Sequence, residues 1–326
     1  PPPAPPHPSP YLGAASGPSA TATVSGPGST WSNIDALFVG GVYHTDTTGH
    51  GVLNVLGGGS VAANSITIGE HSSTTGEVQV SGSNSTLVTS GIGKVGTRGH
   101  GSLSVSDHGM VVSNGANVGD SAGSVGAVTV DDHAIWNNSG VLTIGLHGNG
   151  GFHATSQSSV TSTSGTIGSA ADGTGNATFS GSGTSWTLGG DLTIGDSGAG
   201  SLSVVDHAIA SLASSSVLRV GRNSTGVGAL SIDSAAALAV GRGEIGLSGS
   251  GTATISRGAQ LTLSSRLDVG VHGILDLSND GIVTIGPGSL PANGTLQVGT
   301  GGLFYAYNGG RASSKSGLLI GTTASI

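Results

Sequence analysis

LTIGDSGAGSLSV (192–204) holds two short runs, Leu192-Thr193-Ile194 and Leu202-Ser203-Val204, in which apolar and polar residues alternate. Alternation with period two is the strand signature, and the Gly, Asp and Ser between the runs turn the chain. The second run belongs to a pentad, Gly-x-apolar-x-apolar, found as GVLNV at 51, GEVQV at 76, GSLSV at 101, GAVTV at 126 and GGFHA at 150. It continues as GNATF at 175, GSLSV at 200, GALSI at 228, GTATI at 251 and GILDL at 273, with steps of 25, 25, 25, 24, 25, 25, 28, 23 and 22 residues. The first run belongs to an interleaved motif that ends in Gly: LFVG at 37, ITIG at 66, ANVG at 116, LTIG at 142 and 192, and LRVG at 218. We assign LAVG at 238, LDVG at 267, VTIG at 283, LQVG at 296 and LLIG at 318 to the same motif. A third apolar element lies between them, read as Val61, Leu87, Val111, Ile135, Val160, Trp186, Ile209 and Leu261.

Three short strands and three turns per repeat make a triangular coil. One coil cannot bury its apolar side alone, whereas stacked coils bury a continuous column. The sequence therefore predicts an all-β fold, a single-stranded right-handed parallel β-helix (β-solenoid) of about twelve coils, each about 25 residues long. Right-handedness follows from the rule for crossovers between parallel strands. The expected core includes Leu53, Val55, Leu103, Val105, Val128, Val130, Leu142, Ile144, Leu192, Ile194, Leu202 and Val204. At roughly 4.8 Å per coil the rod is about 55–60 Å long.

Three regions are expected: a Pro/Ser-rich leader at 1–20, the β-helix at 21–300, and a terminal coil or cap at 301–326. Trp31, Phe38 and Tyr43 mark an irregular first coil, and Phe304, Tyr305 and Tyr307 a bulky last one. Atypical ends read as caps, because terminal coils expose strand edges. The chain opens PPPAPPHPSP with no apolar signal region after it, which reads as a mature or trimmed product.

Composition narrows function. Charged residues are 8% of the 326, and the net charge is −8 with nine Lys and Arg. Neutralising nucleic acid needs clustered cations, so nucleic acid is excluded as a partner. No run of about 18 apolar residues marks a membrane span, and with no Cys there are no disulfides or thiolate metal sites. No phosphate-binding loop, calcium nonapeptide or catalytic Ser-His-Asp order is present, and no cofactor is expected.

Three groups of residues invite a chemical reading. Asp107-His108 and Asp132-His133 follow the pentad at the same offset in consecutive coils, and Asp206-His207 repeats the pair later. Stacked pairs have the donors for a metal ion or a shared proton; the competing reading is that Asp favours tight turns. Lys94, Arg98 and His100 with Asp107 and Asp131 are the best local set for acid/base attack on a polysaccharide, against a reading as scattered turn charges. Finally, the outward pentad positions Asn54, Gln79, Ser104, Thr129, Thr178 and Ser203, with His153, and the outward positions Thr67, Asn117, Thr143, Thr193 and Arg219 of the Gly-terminated motif form hydroxyl and amide ladders fit for glycans. Strand propensity and stacking of like residues also account for such a ladder.

TVSGPGSTW (23–31), FSGSGTSW (179–186), LTIGDSGAGSLSV (192–204) and VLTIGLHGNGG (141–151) resemble the repeats of bacterial autotransporter passenger domains. The resemblance covers residue 21 to about 300. It implies an exported β-helix, secreted or displayed on a Gram-negative cell surface, and serving adhesion, aggregation or biofilm cohesion. The resulting expectation is a non-enzymatic structural or adhesive solenoid contacting a host or neighbouring cell surface, glycans or extracellular matrix. The alternatives are a subunit that assembles end to end into an extracellular filament, and a polysaccharide lyase or hydrolase.

Overall fold

The computed structural model describes residues 10–13, 19–41, 48–286, 295–299, 301–314 and 318–320, and among them every regular element is a strand. All strand pairings are parallel, each joining a strand to its equivalent one coil away. The expected all-β solenoid is thus the observed fold.

Each coil has three faces. Among the described residues the pentad face is a sheet of 12 strands from Ala20–Ser25 to Leu303–Ala306. A middle face runs through Thr30–Ser32, Met110–Ser113 and Ser185–Leu188, and a closing face through Ala36–Val39, Val141–Ile144 and Leu192–Ile194. These two faces join where Ala237–Ile245 and Gln260–Val269 run unbroken from one to the other.

All twelve expected core residues are at most 4% exposed and belong to one continuous apolar column. The middle face corrects two assignments. Trp136 and Ala210 point inward and are buried, whereas Ile135 and Ile209 are 38% and 51% exposed. Both pairs consist of adjacent apolar residues, so alternation alone does not choose between them. Two Gly-terminated motifs also move. Leu238 pairs with Ala210 and Leu261, and Val283 pairs with Leu261, which places LAVG and VTIG on the middle face. The closing face of the coil after LRVG is instead Gly243-Glu244-Ile245.

A stack of aromatic rings runs inside the column. Trp136, Phe152, Phe179 and Trp186 follow one another with centroids 5.6, 5.6 and 4.9 Å apart. Gly165 makes room for this stack, since a Cβ there would lie 2.9 Å from two atoms of the Trp186 ring.

Two corners explain the recurring spacing of the motifs along the chain. After the pentad, paired left-handed residues turn the chain, among them Asp107-His108 (φ 49° and 61°), Asp132-His133 (49° and 60°), Ser156-Gln157 (49° and 65°) and Gly57-Gly58 (54° and 92°). Two successive positive φ values are the geometry of a type I′ turn, which Gly, Asn and Asp adopt at least cost. At the corner between the closing face and the pentad face, Gly145 has φ +71°, and any Cβ on it would overlap the backbone of Thr174 and Gly175. Only Gly fits there, for both reasons.

The loop at this second corner alternates in length. Gly69 to Gly76 is seven residues and Gly96 to Gly101 five; Gly119–Gly126, Gly168–Gly175 and Gly221–Gly228 repeat the seven, Gly145–Gly150, Gly195–Gly200 and Gly246–Gly251 the five. Longer loops close on themselves, as in Thr74 N–H to His71 O (2.9 Å) and Ser124 N–H to Ser121 O (3.0 Å). Shorter loops donate to the coil before: Gly99 N–H to Gly69 O and Gly148 N–H to Gly119 O, both 3.1 Å. The structural unit is therefore a pair of coils.

The termini join the same pattern. Tyr11–Leu12, within the Pro/Ser-rich leader, pairs with Phe38–Val39, and the Tyr11 ring stacks on Phe38 at 5.2 Å. Leu303–Ala306, Arg311–Ser314 and Leu318–Ile320 continue the three faces. Phe304 is buried, while Tyr305 and Tyr307 are exposed; Tyr43 lies outside the described residues.

Candidate functional site

The pentad ladder forms in register. Asn54 pairs with Gln79, Gln79 with Ser104, Ser104 with Thr129, Thr129 with His153, His153 with Thr178, and Thr178 with Ser203. The column is an outward, solvent-facing surface with one polar group about every 4.8 Å. Its side chains are partly or fully exposed along its length.

Asp107, His108, Asp132 and His133 do come together. The His108 and His133 rings stack 4.8 Å apart and 2° from parallel, each with its own carboxylate nearby: Nδ1 to Oδ1 is 3.6 Å in the first pair and 3.1 Å in the second. All four side chains are at least 43% exposed. Among the described residues no group of three or more His, Asp or Glu has the geometry to hold a metal ion. The backbone gives these residues a structural task, since His108 N–H donates to Asp132 O and His133 N–H to Ser156 O, so the turns form their own ladder. Asp206-His207 makes the same turn, its His207 N–H donating to Ser234 O.

The set considered for acid/base chemistry is dispersed. Lys94 lies on the closing face and donates to Asp120 Oδ2 (2.9 Å), while Arg98 donates to Glu70 Oε1 (2.9 Å). His100 stands at the edge of the pentad face, aligned with Thr75 and Val125. Asp131 begins the turn at the other end of that face, where hydrogen bonds from Thr155 and Ser156 hold its carboxyl below the usual range.

The second ladder, on the closing face, lies in a recess that the sequence did not reveal. Its outward column runs Phe38, Thr67, Lys94, Asn117, Thr143, Thr166, Thr193, Arg219, Glu244 and Asp268 in register. Phe38, Thr67, Thr143 and Thr193 are nevertheless 5–9% exposed, so this face is the floor of a groove. Two clefts lie on it. One, about 380 Å³, is lined by Tyr11, Phe38, Thr67, Glu70, Lys94 and Thr97 among others. The second, about 270 Å³, is lined by Arg219, Arg222, Asn223, Glu244 and Leu247 with neighbours.

Ions along the groove are paired. Arg219 reaches Asp191 (2.8 Å) and Glu244 (3.2 Å), Arg242 reaches Glu244 (3.0 Å), and Arg222 reaches Asp196 (3.2 Å). Burial opposes ionisation of Asp191, but hydrogen bonds from Arg219 and the Val217 N–H outweigh it and hold the carboxyl below its ordinary value. Such carboxylates serve as fixed acceptors rather than proton donors.

No family model matches the chain, and no curated protein does. Among solved structures it is similar to a TibC-catalysed, hyper-glycosylated fragment of TibA. The identity is 18% over 96% of this chain and 99% of that one, with a TM-score of 0.26.

Proposed function

We propose that this chain is a non-enzymatic extracellular β-solenoid, secreted or carried on a cell surface, whose work is adhesive and structural. The observation that carries the reading is the closing-face groove, a floor of Thr and Asn residues interrupted by Lys94 and Arg219, in which the carboxylates are tied to cations. A floor of this kind offers evenly spaced hydroxyls, amides and charges to an extended polysaccharide. General acid/base cleavage instead needs a carboxyl with a raised pKa opposite a free base. The partners proposed are glycans or matrix on a host or neighbouring cell, contacted through this groove and through the pentad ladder.

Retention of the purified rod on immobilised polysaccharides or on whole cells tests the proposal. Expected is saturable retention with no release of sugar. A rod that binds neither cells nor polysaccharide would sink it; reducing or unsaturated sugar set free, and lost in Asp107→Ala, would replace it with a lyase or hydrolase.

A second reading, end-to-end assembly into a filament, has its own support. The first pentad strand, Ala20–Ser25, has a described neighbour on one side only, and Ala22, Val24 and Trp31 at that end are only partly buried. A strand edge with no partner among the described residues is a template for another chain. Electron microscopy separates the two readings, since long fibres are expected only of the second.

A further inference from the structure

We propose that the cleft at the Tyr11 end of the closing face is a binding site for a single neutral pyranose unit of a glycan. The inference rests on the adhesive reading above and gives it a ligand class and a place.

The cleft arises from residue sizes in one column. Phe38, Thr67 and Lys94 occupy the same outward position in three consecutive coils. The short Thr67 between two long side chains leaves a hollow about two coil spacings long, roughly 10 Å, with a volume of about 380 Å³. Tyr11 packs on Phe38 at 5.2 Å and deepens the aromatic end. Glu70 and Thr97 line the loop side, Ala36 and Ser65 the other.

The chemistry of this lining matches a sugar ring. Apolar C–H faces of pyranoses pack against aromatic rings, while their hydroxyls need donors and acceptors together. Lys94 supplies the donors: its ammonium carries three N–H groups, of which one goes to Asp120. Its side chain is 38% exposed and so available to a ligand. Acceptors come from Thr67 and from Glu70, whose Oε1 takes the Arg98 bond. Thr97 Oγ1 is buried and has no hydrogen-bond partner among the described residues. Charge decides between neutral and acidic sugars. Lys94 is offset by Asp120 and Arg98 by Glu70, so no cation is left over for a carboxylate or sulfate.

Binding of methyl glycosides of neutral hexoses and N-acetylhexosamines to the full chain, followed by saturation-transfer NMR and calorimetry, tests this. A single sugar should bind in the region of Kd about 1 mM. Thr67→Tyr fills the hollow from an outward position and should abolish binding. Thr187→Tyr makes the same change at an exposed outward position of the middle face, away from both the groove and the pentad ladder, and should leave binding intact. Matching circular dichroism of both variants with the parent shows that the solenoid is unchanged. Glycoside binding that survives Thr67→Tyr, or a wild-type chain that binds none of the panel, overturns the site. If the rod is still retained on polysaccharide in that case, only the cleft assignment fails and the adhesive reading stands.

Discussion

The Trp186 indole Nε1 donates to Ser162 Oγ, 3.1 Å away and one coil below. Trp136 does the same with Ser113 at 2.9 Å. A full indole fits inside a coil this narrow only when its N–H finds an acceptor in the core. The inward positions that follow Val111 and Val160 supply it as Ser, where later coils have Leu212, Val240 and Leu263. Removing the acceptor leaves a buried donor unpaired, so Ser162→Ala should cost about 1–3 kcal/mol. Urea unfolding followed by tryptophan fluorescence measures it; Ser159→Ala, an outward position on the same strand, should stay near the parent midpoint.

Gly165 and Trp186 form a size pair across neighbouring coils. Where other coils carry Leu142 or Leu192 at the inward closing-face position, this one carries Gly and the indole takes the space. Gly165→Leu alone should cost about 1–3 kcal/mol by overpacking, and Trp186→Ala alone about 3–5 kcal/mol by opening a cavity. The double variant should lose clearly less than the sum of the two. Strict additivity in that cycle would mean that the pair is not coupled.

What was legible in the sequence follows from what repeats. Inward residues of the pentad and of most Gly-terminated motifs were placed correctly because a polar residue separates the apolar ones, so the period of two is unambiguous. Ile135-Trp136 and Ile209-Ala210 failed because both neighbours are apolar. A usable signal was present nonetheless: the inward residue of the middle face lies three positions after the second left-handed turn residue. Counting from His108 gives Val111, from His133 Trp136, from His207 Ala210, from Ala235 Leu238, and from Asp280 Val283. The same count removes LAVG and VTIG from the closing face. The groove had no such signal. Thr67 and Thr143 alternate outward like Ser104, yet they are 7% and 9% exposed while Ser104 is only partly covered, a difference that alternation does not carry.

The Asp-His turns make an opposed pair of expectations. His133 holds φ +60° and Asp132 +49°, a conformation that costs an L-residue about 1–2 kcal/mol relative to Gly. Gly57-Gly58 makes the equivalent turn elsewhere in the rod. His133→Gly should therefore be neutral or stabilising by up to about 1 kcal/mol. Zinc or nickel added to the wild-type chain should leave its Tm unchanged, because among the described residues no set of three or more ligands converges at the two exposed imidazoles. A saturable rise in Tm that His108→Gly and His133→Gly both remove would establish Asp107, His108, Asp132 and His133 as a metal site.

Acid should weaken the rod at identifiable corners. Asp233 is partly buried, which opposes its ionisation, but Arg257, the Ser234 N–H and Ser256 donate to it and hold the carboxyl below its ordinary value. Asp131 is lowered by Thr155 and Ser156, and Asp191 by Arg219 against its own burial. A carboxyl with a depressed folded-state pKa adds stability that is complete above its unfolded value, about 3.9, and is lost as pH falls through the folded one. Stability should thus be flat from neutral pH down to about pH 5 and decline below about pH 4. Asp233→Asn lacks the titrating group and should have a shallower acid limb together with a lower Tm at pH 7, because Arg257 loses its charged partner. Thermal melts of parent and variant between pH 7 and pH 3 decide it: parallel curves would show that this carboxylate carries none of the acid sensitivity, and curves that converge as pH falls are the expected result.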